Sequence, residues 1–210
     1  MKSIETILKD GQWKGHSCYV VGSGPSLKGF DFARLNGEFS IGCNMEFLWN
    51  PSIALCQDVR FFRRYKDDPQ YLACESIKAY FKGHPHREDI EASDRIYEIR
   101  SAHFNWGRML SQGLVYGANV GLAAINLADI LGASPIYLLG FDCKQGPSNE
   151  SHHHDAYPEH WRLSQPEAVA FKYNRNIEEF RKWSSHVKGY VVNATPESAI
   201  DCFDKGVLSL

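Results

Sequence analysis

Three stretches of the chain carry residue types and spacings that could do chemistry. The first is Tyr19-Val20-Val21-Gly22-Ser23-Gly24-Pro25-Ser26-Leu27, an apolar run that ends in a Gly-X-Gly turn. Glycines there let backbone and ligand approach closely, and free N–H groups at such a turn can hold a phosphate. Pro25 fixes the exit of the turn, and Ser26 can cap or offer its hydroxyl. The third glycine of the dinucleotide fingerprint is missing, with Leu27 in its place, and no Gly-Lys-Ser/Thr follows, so neither that motif nor a Walker loop is present. On spacing alone, a tight strand-to-loop turn accounts for the segment equally well. The second group is a pair of carboxylates: Asp142 follows an apolar run directly, and Asp58 follows one after a single Gln. A carboxylate at the carboxyl end of a strand can hold Mg²⁺ on a phosphate, accept from a ribose hydroxyl or act as a base; it can equally cap the next loop. The third is His152-His153-His154-Asp155, with His160 six residues beyond His154. A histidine titrates near working pH and so could take a proton from an acceptor hydroxyl. His154, Asp155 and His160 could also be imagined around a metal, but a solvated His-rich loop is as simple a reading, and no metal ligands are assigned.

The elements that must position these groups follow from the hydrophobic pattern. Short β-branched or aromatic runs alternate with longer helical stretches, the signature of an α/β sheet. Strands are expected at Cys18–Val21, Phe39–Cys43, Ile53–Cys56, Ile77–Phe81, Ile96–Ile99, Ile136–Phe141 and Tyr190–Val192, several of them uninterrupted apolar runs, as in a sheet covered on both faces. A helix is expected over Asn119–Leu131, apolar nearly all round, capped by Asn119 and closed by Gly132. A second runs from about Ser164 to His186, with Ser164 and Glu167 at capping-box spacing. Two long irregular stretches remain, Lys82–Ser93 and Lys144–Leu163, each of a length that marks a lid, a binding segment or a poorly ordered loop; the second carries the histidines.

Composition excludes several classes. The 210 residues hold 23 Lys+Arg against 25 Asp+Glu, near charge balance, so no broad basic surface for nucleic acid is expected, and the 43% hydrophobic content is that of a globular chain. One domain spanning residues 1–210 is expected, with enough core to need no staples. No apolar run approaches the roughly 18 to 20 residues of a membrane span; the longest, Val120–Leu131, is interrupted by Asn126 and Asp129. The six cysteines form no CxxC pair, and the first residues contain no apolar leader segment, so free thiols in a cytoplasmic protein are expected.

Gly22-Ser23-Gly24-Pro25-Ser26-Leu27 resembles the GxGPSL motif that opens bacterial lipooligosaccharide sialyltransferases, and the related domain of motility-associated flagellin glycosyltransferases and of archaeal hydroxymethyl-dihydropterin diphosphokinase. Ser40-Ile41-Gly42-Cys43-Asn44 resembles the sialyltransferase strand that ends in Cys-Asn. Ala54-Leu55-Cys56-Gln57-Asp58 resembles the diphosphokinase strand ending in Asp. Gly117–Gly132, followed by Ile136-Tyr137-Leu138-Leu139-Gly140-Phe141-Asp142, resembles the shared helix and strand, and Tyr190–Pro196 continues the likeness near the end. The resemblance implies a single Rossmann-like domain with a mainly parallel sheet of about six or seven strands. It implies that Gly22, Ser23, Gly24, Pro25 and Ser26 line nucleotide phosphates and that Asn44 faces ribose, base or donor sugar; Asp58 and Asn119 complete the nucleotide set. Two departures stand out. Ser23 occupies the place of an Asn between the glycines, and the base His of the sialyltransferases falls near Phe171, which cannot act as one.

The leading expectation is a nucleotide-sugar-dependent glycosyltransferase with a CMP-activated donor, an acceptor the sequence does not identify, and His154, His160 and Asp142 as catalytic candidates. The alternatives are an Mg²⁺-dependent diphosphokinase acting on a pterin-like molecule, with Asp58 and Asp142 on the ion, and a nucleotide-binding accessory protein without turnover.

Overall fold

The computed structural model describes residues 2–82, 96–117, 119–161 and 165–208, except for the side chain of His160. Nine parallel strands form one sheet: β1 (Lys2–Ser3), β2 (Cys18–Val21), β3 (Ser40–Cys43), β4 (Ile53–Cys56), β5 (Ile77–Lys82), β6 (Ile96–Arg100), β7 (Ile136–Leu139), β8 (Val191–Asn193) and β9 (Asp204–Lys205). Their spatial order is β1-β6-β5-β4-β3-β2-β7-β8-β9. The expected α/β fold is present. The count exceeds six or seven because β1 and β9 are two-residue edge pairings, Lys2 opposite Tyr97 and Val192 opposite Asp204, too short to leave a periodic signal.

Strand residues alternate between the two faces, as the period of two requires. Cys18, Val20, Ile53 and Leu55 point into the main core, whereas Tyr19 and Val21, and Ala54 and Cys56, point to the opposite side. The main core is covered by α3 (Val120–Ile130), nine of whose eleven residues are buried, and by Phe180 and Trp183 of α4 (Pro166–Ser184). Burial of Leu122, Ile125, Leu127 and Ile130 stabilises that contact by about 1.5–3 kcal/mol each. On the other face, α1 (Val59–Tyr65) and α2 (Pro69–Ala73) cover β4 to β6 through Phe61, Phe62, Tyr65 and Tyr71.

Boundaries differ from expectation for local reasons. β7 ends at Leu139, not Phe141, because Gly140 turns with φ +68° and the Phe141 N–H leaves the sheet for the Thr195 hydroxyl. β3 starts at Ser40, whose hydroxyl and N–H bond Ser52. The late helix starts at Pro166 after Gln165, since a proline suits the first helical turn. The expected cap Ser164 lies outside the described residues, as does nearly all of the Lys82–Ser93 loop. Asn126 does not interrupt its helix: buried in α3, it accepts from the N–H groups of Gly107 and Val115 and donates to Gly107 O, tying the 107–115 segment to the core. All six cysteines are free, four of them buried.

Candidate active site at the ends of β2 and β7

The chain lays β2 to β6 outward in one direction and then returns to place β7 on the other flank of β2. At such a reversal, the crossovers on either side leave opposite faces of the sheet and a crevice opens at the carboxyl ends. Here the crevice is a cleft of about 260 Å³. Gly22, Ser23, Gly24, Pro25, Asn44, Asp58, Asn119 and Asp142 all border it, so eight of the eleven residues singled out in the sequence converge on one place.

The glycine turn has a different physical reason from the expected one. Gly22 N–H donates to Leu139 O (2.8 Å) and Gly24 N–H to Gly140 O (2.9 Å), so β2 and β7 stay zipped beyond their ends. A Cβ at Gly22 would lie 2.8 Å from Gly140 O, and one at Gly24 would overlap the Asp142 carboxylate. The glycines are needed for the approach of the β7 turn. Of the N–H groups of Gly22, Ser23, Gly24 and Ser26, three are bonded within the protein, so the turn is a cleft wall more than the expected cradle of free amides.

Ser26 N–H and Oγ both donate to the Asp142 carboxylate, at 3.1 and 2.8 Å. Burial pushes the Asp142 carboxyl above the usual range, and the Ser26 bonds hold it down only in part. Asp58 caps α1 through the Arg60 N–H (2.8 Å) and pairs with the Arg60 guanidinium at 2.9 Å. Its partial burial works to raise the carboxyl, but the Arg60 bonds prevail and hold it below its ordinary value. Both carboxylates are thus engaged by protein donors. Positive charge comes instead from Arg60, Lys144 and Lys172, all on the cleft wall; burial lowers the Lys172 ammonium from its ordinary value. Val120 and Gly121 bring the N-terminus of α3 to the same wall, where first-turn N–H groups and the helix dipole favour an anion. Asn119 caps that helix by accepting from Leu122 N–H (3.0 Å), and its Nδ2 is buried without a hydrogen-bond partner. Asn44 Oδ1 is buried and partnerless as well, on a residue with φ +55° directly after β3. Both residues line the same cleft, one carrying an unpartnered donor and the other an unpartnered acceptor.

The described part of the histidine segment, residues 144–161, closes the open side. His153 N–H donates to Ser23 O (3.0 Å), Tyr65 Oη to Ala156 O (3.1 Å), and Tyr157 is bonded by the side chains of Ser23 and Asn44; its burial pushes the phenol well up. The three adjacent histidines diverge. His152 borders the cleft and also a neighbouring cavity of about 170 Å³, shared with His154, Trp161, Lys172 and Tyr173. His154 borders that second cavity and is not among the residues lining the cleft, and the His160 side chain lies outside the described residues. Phe171 is exposed on α4. The sequence reading missed Glu46, whose carboxylate is 1% exposed and accepts from Ser23 Oγ at 2.8 Å; a glutamate two residues past Asn44 carries no sign of burial. It also passed over Lys172, which sits at an exposed position of α4 beside the cleft wall.

No family model matches the chain, and no curated protein matches it. Among solved structures it is similar to the MAf glycosyltransferase from Magnetospirillum magneticum AMB-1, at 14% identity and a TM-score of 0.61, over 95% of this chain and 35% of that one. That likeness shows the fold. The chain spans about a third of the length of that protein. Among the described residues, no helix is long and apolar enough to cross a membrane.

Proposed function

We propose that the chain is a nucleotide-sugar-dependent glycosyltransferase that takes a CMP-activated donor. The observation that carries this reading is the pair of buried, partnerless amide atoms, Asn44 Oδ1 and Asn119 Nδ2, on two residues lining a cleft that is also bordered by a helix N-terminus and three cationic side chains. A buried polar atom left unpaired costs about 1–3 kcal/mol, and a nucleotide with both donor and acceptor groups relieves two of them. The leaving phosphate sits against the α3 N-terminus with Lys172 and Lys144, where its growing charge is stabilised. His152 is the group on the cleft wall able to accept the acceptor's hydroxyl proton, with the acceptor in the neighbouring cavity; this moves the role from His154 by two positions. The fold similarity to a protein named a glycosyltransferase is in keeping with the reading. The diphosphokinase alternative is less favoured, because the carboxylates it needs for Mg²⁺ are held by Ser26 and Arg60.

The test is thermal shift with CMP, CDP, UDP, GDP and ATP, each with Mg²⁺ and with EDTA, followed by donor-sugar hydrolysis in His152→Ala and His154→Ala. A ligand at about 100 times its Kd adds about 2.7 kcal/mol to stability. A cytidine-selective shift, with hydrolysis lost in His152→Ala alone, is expected. An ATP-selective shift abolished by EDTA points to the diphosphokinase. A cytidine shift with no hydrolysis in any form leaves a binding protein without turnover.

A further inference from the structure

One titratable cluster lies beside the cleft and has no part in the transfer chemistry above. Glu46 stands in the 3-10 turn Asn44–Trp49 that follows β3, and its carboxylate is buried. His153 Nε2 lies 3.0 Å from its Oε1 and 3.3 Å from its Oε2, and His154 Nε2 lies 3.9 Å from Oε1. We infer that Glu46, His153 and His154 form a binding site for a divalent transition-metal ion of the zinc class.

The three ligand atoms all lie within 4.8 Å of one another. Two imidazole nitrogens and one carboxylate oxygen are a donor set for Zn²⁺, Fe²⁺ or Mn²⁺; Mg²⁺ and Ca²⁺ take oxygen. Ligands about 2.0–2.1 Å from a tetrahedral ion stand roughly 3.3 Å apart. The carboxylate-to-imidazole distances of 3.0 and 3.9 Å bracket that value, and with every pair of ligand atoms within 4.8 Å, side-chain shifts of about 1.5 Å or less bring all three to one ion. Adjacent residues reach one ion because their rings are nearly perpendicular, at 85° with centroids 4.9 Å apart. The loop is fixed at that point by the bond from His153 N–H to Ser23 O, so the site is largely formed before an ion arrives. One rearrangement is required. His154 Nδ1 accepts from the exposed Ala156 N–H at 3.2 Å, which puts the ring proton on Nε2; ion binding moves it to Nδ1 and gives up that single long hydrogen bond. A three-ligand site keeps an open position, and Ser23 Oγ, 2.8 Å from Glu46 Oε1, lies alongside on the cleft wall. The ion would also offset a buried carboxylate that otherwise stands close to the place of an anionic ligand.

The full chain, free of any histidine tag and stripped with chelator, is titrated with ZnCl₂ by calorimetry, and with CoCl₂ by visible absorption. One ion per chain and an intense tetrahedral cobalt band are expected. Glu46→Gln and His154→Ala should each weaken binding at least about 100-fold, while the exposed His16→Ala leaves it unchanged. Far-UV circular dichroism identifies any variant that fails to fold, and the cobalt spectrum of the unaltered chain stands independently of the variants. A weak octahedral cobalt spectrum, or zinc affinity equal in folded Glu46→Gln and His154→Ala, overturns the site and leaves Glu46–His153 as a latch for the loop. No nucleotide is present in these titrations, so either result leaves the glycosyltransferase reading to its own test.

Discussion

Substituting Gly24 by alanine probes how the glycine turn is built. The new Cβ would overlap the Asp142 carboxylate and lie 2.5 Å from Gly140 O, so Asp142 must swing away and release the bonds from Ser26 N–H and Oγ. Hydrogen bonds to a charged acceptor contribute about 1.5–3 kcal/mol each, and the half-buried hydroxyl recovers part of its share from water, so the loss is about 2–4 kcal/mol. The remaining contact with Gly140 O adds about 1 kcal/mol or more of overpacking. Asp142→Ala alone loses the same two bonds and should cost about 2–4 kcal/mol. In the double variant the bonds are already gone and only the Gly140 contact is left to relieve. The two costs must therefore fall short of additivity by about 2–4 kcal/mol, well outside the roughly 0.5 kcal/mol seen for independent sites. Urea unfolding of the four proteins measures this coupling. Additive costs would refute the reasoning, since they would mean that Gly24 is required for something other than the seat of Asp142.

Three further outcomes follow from particular contacts. Asn126→Ala leaves the Gly107 and Val115 N–H groups without an acceptor, so stability should fall by about 3 kcal/mol or more in urea, and Asn126→Leu should not restore it. The carboxyl of Asp142 is raised by burial, so as pH climbs from the ordinary carboxylate value to the folded one the unfolded chain gives up its proton first and the contribution of Asp142 to stability falls; subtracting the stability curve of Asp142→Asn from that of the parent should isolate this decline, and a rise with pH would contradict it. Burial pushes Cys143 up to about 12 and raises Cys18 and Cys56 well above the usual thiol range, which at pH 8 leaves roughly one Cys143 in ten thousand as thiolate; labelling of the native protein by a disulfide reagent should be slow until denaturant is added, and a burst from Cys143 would show its surroundings to be wrongly described.

Some of this was readable in the chain itself. Cys18–Val21 and Ile53–Cys56 are buried on both faces and so are apolar without interruption, and the Val120–Ile130 helix, buried at nine of its eleven positions, is apolar but for Asn126 and Asp129, so local composition alone reports all three. The Gly-X-Gly turn and Asp142 were legible for a related reason, since a glycine or a carboxylate directly after such a run marks a strand end. The two-residue strands β1 and β9 were not, because pairing across a sheet edge needs no periodic sequence.

What the turn does was decided by tertiary structure. The return of β7 to the flank of β2 joins residues more than a hundred positions apart, and no local preference encodes that return. It brings Asp142 against Gly24 and Ser26, and so turns a phosphate-cradle pattern into a packed seam whose amides are mostly spent. It likewise sets Glu46 against a loop more than a hundred residues later, and puts His152 on the cleft wall while His153 and His154 turn to that carboxylate. Residue type fixes what a side chain can do; which partner it meets depends on long-range packing, where burial strengthens every charge and leaves each polar atom either satisfied or aimed at a ligand.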